Sequence, residues 1–188
     1  MSSAMPDPVP PRLAERTADL LVERLAAFPT AVRAMVERLS PEEARWRPSA
    51  QDWSIVEILG HLIDEETADF RDRLARLLDD PALEWPPIDP VAAAAARHDR
   101  DRDLAELLAS FEKARSDSVA WLCQRLAETP AIDWAVSKTH PKGDLSAGDL
   151  LAAWAAHDLL HLRQLAKRLH QMLDAIGEPF RTGYAGEW

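Results

Sequence analysis

The sequence predicts an all-α fold, a four-helix bundle with long crossover connections broken by prolines. Three observations carry this reading. Four long segments repeat apolar residues three and four apart, the period of a helix with one buried face. Prolines collect between them, above all at Pro81, Pro86, Pro87 and Pro90. No stretch alternates apolar and polar residues over a useful length, and no segment repeats.

The first helical pattern runs from about Arg12 to Leu39 through Leu13, Leu20, Leu21, Phe28, Val32 and Met35. Pro29 lacks an N–H and crowds the preceding turn, so it is expected to kink or divide this segment near Phe28. Ser40-Pro41-Glu42-Glu43 opens a short helical turn, and Trp46-Arg47-Pro48 an extended piece. Ser54 and Glu57 form a capping-box pattern at the start of the second long helix. Its stripe, Ile55, Ile58, Leu59, Leu62, Phe70, Leu74 and Leu77, reaches about Leu78. The proline-rich crossing that follows is long enough to traverse a bundle, which lets the long helices on either side run parallel. An alanine-rich piece, Val91 to Arg97, precedes the third helix, from about Arg102 to Ala127 with Leu104, Leu107, Leu108, Phe111, Val119, Leu122 and Leu126. A polar loop is expected through Lys138, His140, Pro141 and Gly143. The fourth helix starts at Ser146 or Ala147 and ends near Leu173, before Gly177. The expected division is a flexible lead-in over 1–11, one bundle over 12–175 and a surface coil over 176–188.

A chain of 188 residues can bury a core without disulfides. Its single cysteine, Cys123, excludes an internal disulfide or a cysteine-rich zinc site, and its apolar helical setting predicts a packing role. A net charge of -10 argues against a nucleic-acid binder. No run of about 20 apolar residues suggests a membrane span. Lone-cysteine usage and the absence of a signal-peptide pattern predict a cytoplasmic protein.

The chemistry is expected around Trp154 to Gln164. His157 and His161 stand one helical turn apart on the face that carries Leu150, Trp154 and Leu165. Two imidazoles so placed can grip one metal ion from one side. His61, at the inward edge of the second helix beside Ile58 and Leu62, can supply a third from a facing helix. Three protein ligands leave a position open for water or substrate, whereas a structural site usually closes with four. Glu65, one turn after His61, is a candidate to orient it. Gln164 and Trp154 are candidates to reach or line the pocket, and His140 to form its mouth. Asp158 is turned about 100° from His157, which predicts a surface or supporting role and not ligation. His98 and His170 read as solvent-facing, and Trp53, Trp121 and Trp154 as core.

The segment from Trp53 to Asp64 followed by Phe70-Arg71, and the later segments His140 to Ser146 and Trp154 to Leu165, resemble the two halves of the DinB/YfiT-like superfamily pattern. The likeness spans about Ala14 to Leu173. It implies a four-helix bundle of unusual connectivity, commonly dimeric, with a divalent metal held by His61, His157 and His161. Zinc or nickel is the first expectation for the ion, iron or manganese the next. It further implies a thiol S-transferase that activates a low-molecular-weight thiol for attack on an electrophile, so the expected partners are a small thiol, an electrophilic substrate and a second copy of the chain. Metal-dependent hydrolysis and a non-catalytic metal- or ligand-binding bundle are the alternatives. A zincin reading of His157-Asp158-Leu159-Leu160-His161 is weaker, because the third histidine lies upstream. A di-iron bundle needs paired Glu-x-x-His motifs, which the sequence lacks.

Overall fold

The computed structural model describes residues 11–128, 131–140 and 143–186. Seven helices follow in order: α1 (Pro11–Val36), α2 (Pro41–Arg45), α3 (Ile55–Thr67), α4 (Phe70–Asp79), α5 (Pro90–Arg97), α6 (Leu104–Leu126) and α7 (Ala147–Ile176). α1, α3 with α4, α6 and α7 form the bundle; α2 and α5 ride on the connections. Phe28, Val32 and Val36 of α1 meet Ile55, Ile58, Leu59 and Leu62 of α3 and Leu107, Leu108 and Phe111 of α6 in one part of the core. A second cluster joins Val22 and Leu25 to Leu74, Leu77, Leu122, Leu150, Leu151 and Trp154. No helix among the described residues is long and apolar enough to cross a membrane.

Pro29 does not divide α1; the helix passes through it unbroken. A proline at this position cannot donate to the carbonyl of Leu25, four residues back. The buried guanidinium of Arg115, from α6, donates to that carbonyl instead at 3.0 Å. A group freed within one helix is thus satisfied by a side chain from another. Pro11 opens α1 rather than closing a lead-in, and the lead-in expected over the preceding residues lies outside the described ones.

The second expected helix is two. α3 ends at Thr67, Ala68 and Asp69 break the ladder, and α4 begins at Phe70. Asp69 stands at the break with φ -119 and ψ -99 and pairs with Arg73 at 2.9 Å. The apolar stripe continues across the break, which is why periodicity alone reads one element. α3 and α6 run in the same direction: Gly60 meets Asp99 at the entry to α6, and Glu66 meets Arg115 farther along. A Cβ on residue 60 would overlap the Asp99 carboxylate, so only glycine lets this turn close on α3.

The polar loop contains a short antiparallel hairpin, β1 (Ser137–His140) with β2 (Gly143–Ser146), paired Ser137 to Ser146 and His140 to Gly143. The Pro141 turn lies outside the described residues. The strands are four residues each and mostly polar, with Leu145 of β2 packed against the core, so they show no apolar alternation long enough to read. They anchor α7: Ala147 and Gly148 donate their N–H groups to the carbonyls of Val136 and Trp134 at 2.9 and 3.0 Å. Ser146 and Asp149 then close a capping box on α7, which runs to Ile176. Among the described residues after α7, up to 186, the chain is coil with a 3-10 turn at Gly183–Ala185. Cys123 is exposed on α6, not packed as its neighbours suggest.

Candidate metal centre

Two helix starts set the register of the site. The Glu57 carboxylate accepts from the Ser54 backbone N–H at 2.8 Å and its hydroxyl at 2.6 Å, fixing the first turn of α3. His61 and Glu65 follow on one line of that helix. The Ser146–Asp149 box does the same for α7, which carries His157, His161 and Gln164. His61 faces His161 and Glu65 faces His157, so the two helices are antiparallel where they meet.

The three imidazoles converge. Ring centroids lie 4.9 Å apart for His61 and His161, 4.5 Å for His157 and His161, and 6.2 Å for His61 and His157. Glu65, missed as a central group by the sequence, stands among them. Its Oε1 is 3.0 Å from His61 Nε2 and its Oε2 3.3 Å from His157 Nδ1. The tightest donor group is His61, Glu65 and His161, whose ligand atoms all lie within 4.8 Å of one another. All three are buried, while the His157 side chain, 32% exposed, forms the open edge.

Gln164 reaches the cluster through His161. Its Oε1 stands 2.9 Å from His161 Nδ1. With that oxygen accepting, His161 carries its proton on Nδ1 and keeps a lone pair on Nε2. That Nε2 is buried and has no hydrogen-bond partner; the same holds for His61 Nδ1 and Glu65 Oε2. His157 Nδ1 lies at ion-pair distance from Oε2, 3.3 Å away. His161 Nε2 and Glu65 Oε2 are thus buried polar atoms of the cluster without a hydrogen bond, which is costly unless a ligand is bound there, whereas His61 turns its Nε2 to Glu65 and its Nδ1 to the other side of the ring. Imidazole nitrogen and carboxylate oxygen are donors that first-row divalent ions accept. The residues fit a metal.

Burial would push the Glu65 carboxyl up, but the imidazoles of His157 and His61 beside it outweigh this and hold it at about 2. Burial, reinforced by His157 and His61, lowers His161 to about 4. Glu65 facing its ring raises His157 above the ordinary histidine value. At neutral pH the tight group therefore offers a carboxylate and a neutral imidazole, the protonation states that ligation requires.

Aromatic rings flank the cluster. Trp53 lies 5.0 Å from His61 and Phe70 5.3 Å from His157, both half-buried, and Phe70 stacks on Trp154 at 6.0 Å. Trp154 is 1% exposed and donates its Nε1 to Glu66 at 3.3 Å, so it supports the site from the core. His140 lies against Trp85, ring centroids 6.0 Å apart, and is not among the clustered donors. His98 is exposed, whereas His170 is half-buried. Cavities of about 440 Å³ beside Arg45 and Asp99 and about 630 Å³ beside Trp46 and Lys167 have none of the cluster's side chains in their walls.

Asp158 is not on the surface, and its carboxylate is held by a guanidinium and not by an imidazole. It is buried and takes a two-point contact from Arg115, Nη1 to Oδ2 at 2.6 Å and Nη2 to Oδ1 at 2.8 Å. Arg115 also donates through Nε to Glu66 at 2.8 Å. Burial pushes the Asp158 carboxyl up to about 6, since one guanidinium is shared with a second carboxylate. The sequence did carry a signal for this triad. Arg115 continues the stripe of Leu108 and Phe111, Glu66 that of Leu59 and Leu62, and Asp158 that of Trp154. Charges of opposite sign at stripe positions on three helices mark a buried ion cluster.

Residues 24–165 match the sequence profile of the DinB superfamily. The chain belongs to the DinB superfamily. Its fold also superposes on YfiT from Bacillus subtilis, described as "a probable metal-dependent hydrolase with an unusual four-helix bundle topology". The TM-score is 0.72 at 15% sequence identity, over 91% of this chain and 94% of that one, a likeness of fold. No curated protein matches the chain. Within this DinB-superfamily bundle the histidine cluster occupies the facing sides of α3 and α7.

Proposed function

We propose that the chain is a divalent-metal-dependent enzyme that joins a low-molecular-weight thiol to an organic electrophile at the histidine cluster. The observation that carries the metal reading is the buried lone pair of His161 Nε2, held inward by Gln164 beside His61 and Glu65. A divalent ion held by His61, Glu65 and His161 would lower the pKa of a thiol at the site, supplying a nucleophile at neutral pH. The thiol proton would pass to solvent water at the exposed edge beside His157. The sulfur then forms its bond to the electrophilic carbon, and the leaving group departs with the bonding pair. Trp53 and Phe70 provide apolar walls on either side, and the exposed Leu160, one turn after His157, extends that surface. Such walls suit an organic electrophile and limit competing water.

Hydrolysis is the second reading, favoured by the description of YfiT. It uses the same open edge with water in place of the thiol. The experiment that separates them incubates metal-loaded protein with glutathione, bacillithiol or mycothiol and a chromophoric aryl halide. Parallel reactions contain simple esters and amides. Thiol transfer predicts a thioether, detected by mass spectrometry, that disappears with chelator and in His161→Ala. Ester or amide cleavage with no thioether from any thiol would replace the transferase reading with the hydrolase one.

A further inference from the structure

The expected ligand set is three histidines, yet the geometry gives Glu65 a place that a supporting residue does not normally take. A carboxylate that only orients a ligating imidazole sits behind it, on the nitrogen facing away from the ion. Gln164 holds that position at His161. Glu65 stands between rings instead. Its two oxygens approach different imidazoles, Oε1 at 3.0 Å from His61 Nε2 and Oε2 at 3.3 Å from His157 Nδ1. Its ligand oxygen also falls within 4.8 Å of the donors of both His61 and His161, and the His157 ring lies 4.5 Å from that of His161. Two donors each about 2.0–2.2 Å from one ion stand roughly 3 Å apart, so the spacing between Glu65 and the imidazoles is that of neighbours around a common ion.

Burial points the same way. Glu65 is 3% exposed, and its Oε2 is buried without a hydrogen-bond donor. An anionic oxygen enclosed in this way requires a cation or a donor to offset the loss of water. Among the described ion pairs of Glu65, the partners are His61 and His157. The guanidinium groups along this part of the fold are committed elsewhere, Arg115 to Glu66 and Asp158, Arg73 to Asp69 and Arg97 to Asp64 and Asp99.

We propose that Glu65 is a fourth protein ligand, making the centre a three-imidazole, one-carboxylate site; this rests on the metal reading above. The consequence is chemical. Four protein donors fill a tetrahedral ion and leave no place for a thiol or water. An ion that works here must accept five or six ligands, which favours manganese(II), iron(II), cobalt(II) or nickel(II) over tetrahedral zinc. The carboxylate also offsets one of the ion's two charges, so the loaded centre is a weaker attractor of anions than three neutral imidazoles alone would give.

The test uses cobalt(II) as a probe, because its visible absorption is intense when four-coordinate and weak when five- or six-coordinate. The full chain and its Glu65→Gln variant are loaded with cobalt(II), and affinities for cobalt(II) and zinc(II) are measured by chelator competition. The expected result is weak absorption in the wild type and an intense band or no band in Glu65→Gln. Affinity should fall by more than ~100-fold, beyond the range for loss of a residue that merely orients a ligand. Circular dichroism shows whether the variant folds; should it not, anomalous scattering from cobalt-loaded wild-type crystals reads the ligand directly, with a Glu65 oxygen within about 2.3 Å of the ion expected. Matching spectra with affinities within threefold, or a Glu65 carboxylate outside bonding distance, would overturn the proposal while leaving the three-histidine site standing. A wild type that takes up no ion would overturn the metal reading itself, and this proposal with it.

Discussion

At the scale of single residues, protonation and burial decide behaviour. His161 lies at about 4 in the folded protein against an ordinary 6.5. The unfolded chain therefore binds that proton more readily, and acid draws the protein toward unfolding. The contribution of His161 to stability is full above about pH 6.5 and is lost as pH falls toward 4. Unfolding of metal-free protein by urea should show the difference between wild type and His161→Gln changing by up to ~3 kcal/mol between pH 7 and pH 4. A difference that stays constant across that range would contradict the assignment. Arg115 poses the opposite problem. It offsets two buried carboxylates and caps the carbonyl left by Pro29. Arg115→Met removes the charge but not the volume, and leaves Glu66 and Asp158 facing each other unpaired. The expected loss is about 3–5 kcal/mol. The triple change Arg115→Met, Glu66→Gln, Asp158→Asn should recover much of it, which a role limited to packing would not predict.

At the scale of elements, Gly60 separates propensity from packing. In an isolated helix, alanine is favoured over glycine by about 1 kcal/mol. Here the added methyl meets the Asp99 carboxylate, which Arg97 and Arg102 also hold. Gly60→Ala is expected to destabilise by about 1–3 kcal/mol, as overpacking does. A gain in the urea midpoint would show that the turn after α5 yields easily. The same scale shows what the sequence could reveal. The four long helical segments and the Ser54–Glu57 capping box were legible because local rules fix them. The continuity of α1 was not, since it depends on a guanidinium from α6. The break at Asp69 was hidden because the apolar stripe of α3 continues in phase into α4. The hairpin before α7 was hidden because its strands are only four residues each and mostly polar. His61, His157 and His161 were legible from spacing on apolar faces. The central placement of Glu65 was not, because it depends on how α3 and α7 face each other.

At the scale of the whole molecule, the centre joins two antiparallel helices. An ion that binds only the folded chain stabilises it by mass action, about 2.7 kcal/mol at a hundredfold excess over Kd. The thermal midpoint should rise with added ion and return on chelation, and neither change should appear in His161→Ala. The aromatic walls, the Arg115 triad and the capping boxes hold the donors in place without the ion, so far-ultraviolet circular dichroism should be nearly the same with and without it. A chain that folds only when loaded would contradict this preorganisation. The most direct test of the centre itself is the metal content of untagged protein by mass spectrometry, beside His61→Ala and His161→Ala. The account predicts about one ion per chain in the wild type and almost none in either variant. No ion in the wild type, even after reconstitution with zinc, nickel and manganese, would contradict it and leave the histidines as core residues.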